Sequence, residues 1–103
     1  MQIIDRIGID IGSKKSVEDG LSWAAAHGLH YVDFRLDTSP EAFVAFTAER
    51  CAAIRTCAEA AGITIGLHTL SAVNIAEYAP YLAEAADQYL RAYIDIAKAL
   101  NAG

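Results

Sequence analysis

The sequence predicts an α/β fold of three consecutive parallel βα units, and two observations carry that expectation. Short stretches with a two-residue hydrophobic period are each followed by a longer stretch with a helical one, and Gly28 and Gly62 close the first two helical stretches. Strands alternating with helices of this length pair in parallel through right-handed crossovers. The 103 residues suffice for one domain, 1–103, and 54% hydrophobic against 20% charged residues favours a packed core over disorder.

The first strand is read in Arg6 to Gly12, where isoleucine at every second position alternates with glycine or aspartate. Ser16 offers an N-cap, Glu18 and Asp19 put negative charge in the first turn, and Leu21, Ala24 and Ala25 continue an apolar face to a helix end near His27. Tyr31 to Leu36 is the second strand, with Asp33 and Arg35 as its polar set. Ser39-Pro40-Glu41 reads as cap, N1 proline and first-turn acid of a long helix. Its expected buried stripe is Phe43, Phe46, Ala53, Ile54, Cys57 and Ala61, with Glu49, Arg50 and Arg55 on the opposite face. Ile63 to His68 is the third strand, followed by a polar loop from Thr69 to Asn74.

From Ile75 the pattern is helical again, and Pro80 marks a kink or the first turn of a further helix. Tyr81 to Leu100 then reads as one helix with Leu82, Ala86, Tyr89, Tyr93, Ile96 and Leu100 on one face, flanked by Leu90, Ile94 and Ala97. So broad an apolar surface suits lateral contact with neighbouring helices, or a subunit interface. Ala102-Gly103 falls where a fourth strand is expected to start. Three such units build a small open sheet or three-eighths of a (β/α)8 barrel, and periodicity does not choose between them.

Thirteen acidic against eight basic residues give a net charge of −5, and the basic residues are scattered, with Lys14-Lys15 the one adjacent pair. That balance excludes a phosphate-backbone binder, so no nucleic-acid partner is expected. No apolar stretch is long enough to span a bilayer and no secretory leader is evident, so a cytoplasmic location is the expectation. Cys51 and Cys57 lie six positions apart in a helix, a separation of about 9 Å along the axis, too far for a disulfide. Both are expected to be small buried hydrophobes with free thiols.

Active sites of parallel α/β proteins gather at the carboxyl ends of the strands. Asp10 and Ser13, Asp33 and Arg35, and His68 are therefore expected to share one rim, with Lys14 nearby. There Asp33 and His68 suit sugar hydroxyls, proton exchange or a divalent metal, and Arg35 or Lys14 an anionic group. The competing reading is structural, with Asp10 and Asp33 paired to Arg35 or Lys14 and His68 a hydrogen-bonded histidine. His27 and His30 flank a turn at a helix end and are assigned to no site. Gly8-Ile9-Asp10-Ile11-Gly12-Ser13 has the spacing of neither the phosphate loop nor the dinucleotide fingerprint, and no nucleophile elbow or zinc motif is present.

The serine-led, alanine-rich helix from Ser16 through Ala24-Ala25-Ala26 to Gly28, followed by Tyr31-Val32-Asp33, resembles the first helix and second strand of the xylose isomerase-like TIM-barrel family. That family includes sugar-phosphate isomerases and epimerases and endonuclease IV. Ala60 to His68 is similar to its third strand with a terminal histidine, and Tyr93 to Gly103 to the helix before its fourth strand, so the likeness covers nearly the whole chain. The family's acid after the second strand is usually glutamate, and Asp33 departs from it by one methylene.

The resemblance implies a partial (β/α)8 TIM barrel, the N-terminal portion of a metal-dependent sugar or sugar-phosphate isomerase or epimerase. Such enzymes use Mn²⁺, Mg²⁺, Co²⁺ or Zn²⁺ held by acidic residues and a histidine from the second half of the barrel. His68, Asp33, Arg35 and Asp10 are then substrate-binding candidates. No catalytic residue or metal ligand is assigned here, and this chain alone is expected to bind no metal and to be inactive. His68 matches a zinc-ligand position only in the endonuclease branch, which the acidic charge opposes. Two alternatives stand beside this: a self-assembling α/β module that forms homo-oligomers through its last helix and open sheet edges, and a nucleotide-binding flavodoxin-like domain.

Overall fold

The computed structural model describes residues 1–12, 15–37 and 41–103, so Ser13, Lys14, Ser39 and Pro40 lie outside the described residues. After a 3-10 turn at Ile3–Arg6 the elements run β1 (Gly8–Asp10), α1 (Val17–Ala26), β2 (Tyr31–Arg35), α2 (Ala48–Ala61), β3 (Thr64–His68) and α3 (Pro80–Leu100). The three strands form one open parallel sheet in the order β1-β2-β3. The fold is α/β, three consecutive βα units.

Side chains of alternate strand residues divide between the two faces. One face carries Ile9, Ile11, Val32, Phe34, Leu36, Ile63, Ile65 and Leu67, which pack with Val17, Leu21, Cys51, Ile54, Tyr93 and Leu100 of the helices into a single core. Helix α1 packs on α2 and α2 on α3, so the three helices line up along that one face. Doubly wound folds place helices on both faces, and the flavodoxin type sets its first strand between the second and third. Sequential strand order with helices on one face is the winding shared by a barrel wall and by one half of the 3-2-1-4-5-6 doubly wound order. The opposite face holds Gly8 and Asp10, Tyr31, Asp33 and Arg35, and Thr64, Gly66 and His68, none of them buried.

Local chemistry explains most boundaries. The Ser16 hydroxyl accepts from the Asp19 amide at 3.1 Å, capping α1 as its sequence predicts. Gly62, at φ +66°, ends α2 in the left-handed conformation that glycine adopts without a Cβ clash. Pro80 is the first residue of α3 and produces no kink. At the far end of α3 the Gly103 amide donates to the Ile65 carbonyl at 3.0 Å, which brings the chain back to the outer edge of β3.

Four expectations need correction. Strand β1 spans only Gly8–Asp10, although the Ile11 amide still bonds Asp33 O at 3.0 Å. Helix α2 starts at Ala48, capped by Thr47, because Phe43 and Phe46 are tucked inward: Phe46 stacks on Phe34 and Phe43 meets Tyr89 and Tyr93 edge-on or tilted. Its buried residues are accordingly Cys51, Ile54 and Ala58, while Cys57 is exposed. In α3 only Tyr93 and Leu100 are buried, and Leu82 and Ile94 remain 59% and 52% exposed. Helix α3 is about 31 Å long against about 17 Å for a five-residue strand, so its first turns run past the sheet.

Candidate functional site

Asp33 and His68 meet at the carboxyl-end rim of the uncovered face. Register sets Asp10 beside Asp33 and Asp33 beside Gly66, and in the next row Arg35 beside His68. The four sequence-predicted residues thus share one face of one sheet, in two adjacent rows. His68 Nε2 stands 3.3 Å from Asp33 Oδ2, both side chains about half exposed. In the neutral imidazole an Nε2–H donating to the carboxylate leaves Nδ1 as a hydrogen-bond acceptor, with its lone pair available to a hydroxyl or a proton.

Gly66 makes that contact possible. A Cβ at this position would overlap the Asp33 carboxylate, so the glycine provides the seat over which the side chain folds toward His68. The role of Asp10 is more local: its Oδ1 accepts from the Gly12 amide at 2.8 Å and closes the turn after β1. Neither Asp10 nor Asp33 takes the structural pairing with Arg35, which is exposed and forms no ion pair among the described residues. Ser13 and Lys14, also candidates for this rim, lie outside the described residues.

From the helix side, α3 holds the rim in place. The Tyr93 hydroxyl accepts from the Leu36 amide at 2.9 Å and faces the carbonyls of Leu36 and His68, joining the ends of β2 and β3. Burial, the main cause, pushes this phenol up to about 12. One turn earlier, the Tyr89 hydroxyl accepts from the Leu70 amide at 3.1 Å and fastens the loop after β3. The helical tyrosine stripe therefore serves the strand ends, a use that its spacing does not reveal.

A second cluster was not anticipated by the helical reading of Glu41 and Arg50. The Glu41 side chain is 2% exposed, accepts from the Val17 amide at the start of α1, and pairs with Arg50 Nη2 at 2.6 Å. Arg50 also forks onto both oxygens of Glu18 and lies over the Phe46 ring at 4.6 Å. The Arg50 hydrogen bond is the main reason the Glu18 carboxyl is held below its ordinary value. This knot ties the β2–α2 connection to α1 and lies on the helix side of the sheet, away from His68. The remaining histidines behave as ordinary turn residues: His27 stacks on Trp23 and bonds its carbonyl, and His30 approaches Gly62 O.

The donor set does not by itself make a metal centre. Among the described residues no three His, Cys, Asp or Glu side chains converge as ligands. Asp33 and His68 form a pair, one donor short of the three protein ligands of a catalytic zinc site. What the arrangement offers is a carboxylate and an imidazole in close contact, beside Arg35, which has no ion-pair partner among the described residues. Also among the described residues, no helix is long and apolar enough to cross a membrane. The chain matches no family model, and no curated protein or solved structure shows significant similarity to it.

Proposed function

We propose that this chain forms the first three βα units of a xylose isomerase-like barrel, and that Asp33 and His68 bind the hydroxyls of a sugar or sugar phosphate there. The observation that carries this reading is the uncovered sheet face, on which Asp33 and His68 pair at the carboxyl-end rim with Arg35 alongside. Barrel interiors are filled by layers of branched apolar side chains. Glycine, threonine and charged residues on this face suit a wet pocket rim better than a dry core.

In this role Asp33 accepts the Nε2–H of His68 and fixes its tautomer, so that Nδ1 accepts a hydrogen bond from a sugar hydroxyl. Arg35, one strand over, suits the anionic end of a sugar phosphate. Divalent metal in this family supplies Lewis-acid chemistry, and its ligands belong to later strands, so isomerisation or epimerisation requires groups beyond these units. The 103-residue chain should therefore give no ketose epimerisation with Mn²⁺ present, and turnover by it would contradict the proposal. Isothermal titration with a pentulose phosphate should give weak binding, Kd of about 1 mM, that H68A abolishes.

A self-assembling module is the second reading, favoured by one observation. The outer flank of β3 and α3 leaves Leu90, Ile94 and Ala97 partly or largely exposed around Leu67, and Trp23 is 38% exposed at the other end of the helix layer. Light scattering at rising concentration distinguishes the two: a constant monomer mass removes the second reading.

A further inference from the structure

We propose that Tyr93 is a positioning residue for His68, a role that rests on the reading of Asp33 and His68 as the substrate-facing pair. Its hydroxyl is the one side-chain group that bonds the ends of both β2 and β3 among the described residues, at Leu36 and at His68 itself. The phenol carries a single proton and two accepting lone pairs. With the Leu36 amide donating to it, that proton goes to the His68 carbonyl, the nearer of the two acceptors. Both strands are thus held to one point on α3.

The geometry of the pair depends on that point. Asp33 and His68 sit on different strands, and their side chains touch two residues out of register, since Asp33 lies opposite Gly66 and His68 opposite Arg35. His68 is the last residue of β3, followed by a loop, and among the described residues no ladder bond beyond it restrains its backbone on that side. Tyr93 supplies the restraint, and its own ring is fixed by Phe43 and Tyr89 at centroid distances of 5.5 and 5.2 Å. Buried rings packed this way have little rotational freedom, so the hydroxyl is a fixed reference for the rim.

Replacing Tyr93 by Phe keeps the ring and removes the link. Long-range ¹H–¹⁵N spectra of the ligand-free protein read the His68 tautomer directly. The wild type should show one tautomer with the proton on Nε2, and Y93F a mixture in which the minor Nδ1-protonated form rises toward its share in a free imidazole. I54V, a core change of similar cost on α2, serves as the control and should leave the tautomer unchanged. A single tautomer retained in Y93F overturns the positioning role, as does equal scrambling in I54V. A mixed tautomer already in the wild type instead overturns the Asp33–His68 pairing on which the functional reading stands. If Y93F does not fold, the Leu36 amide of the wild type decides: exchange at the rate of global opening supports the link, and fast exchange overturns it.

Discussion

At the scale of single residues, the candidate site depends on an absence of side chain as much as on the groups present. Asp33 reaches His68 because Gly66 lacks a Cβ beneath its carboxylate. In G66A the carboxylate must swing away, and the imidazole loses its partner while the strand keeps its backbone bonds. The expected outcome is a tautomer ratio that shifts toward that of a free imidazole, with a melting temperature that falls by only a few degrees, about 1 kcal/mol, seen by NMR and thermal unfolding together. A glycine between two apolar strand residues is visible in the sequence, but its partner across the sheet is set by register, which periodicity leaves open.

At the scale of elements, two contacts between distant segments decide where helices start and how strand ends are held. Glu41 replaces a helical first turn with a buried acid that caps α1 and pairs with Arg50. E41Q leaves the Arg50 charge partly desolvated and should cost about 2 kcal/mol in urea unfolding, with no change in the His68 tautomer. Since the folded Glu18 carboxyl lies below its unfolded value, its contribution is complete above the unfolded value and is lost as pH falls through the folded one. Acid titration of stability should therefore steepen below pH about 4.5 in the wild type and flatten in R50M. Tyr93 acts in the opposite direction. Its phenol rises from an ordinary value of 10.0 to about 12 on folding, so its contribution is full below the lower value and disappears as pH rises through the upper. Alkaline unfolding between those limits should be shallower in Y93F. Helix caps at Ser16 and strand alternation in Tyr31 to Leu36 were legible because each depends on neighbours in sequence. The start of α2 was not, because Phe43 and Phe46 answer to Tyr93 and Phe34, residues far away along the chain.

At the scale of the whole molecule, strand order and helix placement agree with the expected run of βα units, and the contact between α2 and α3 settles which face the third helix takes. Sequence alternation alone cannot choose that face, since both choices bury the same apolar stripe on a parallel sheet. The result is one face that is dry and shared by all helices, and one that is polar and open. Convergence of Asp10, Asp33, Arg35 and His68 on the open face follows from that winding and was legible from their places near the strand ends. Their partners were not, because the Asp10 carboxylate turns to its own loop and the Asp33 carboxylate approaches His68 on the next strand. The central claim, that this open face binds a sugar, is tested most directly by titrating ¹⁵N-labelled protein with a pentulose phosphate and mapping the shifted resonances. The account predicts shifts at Asp33, Arg35 and His68 that saturate and vanish in D33N, and shifts that are absent, or confined to the helix face, would contradict it.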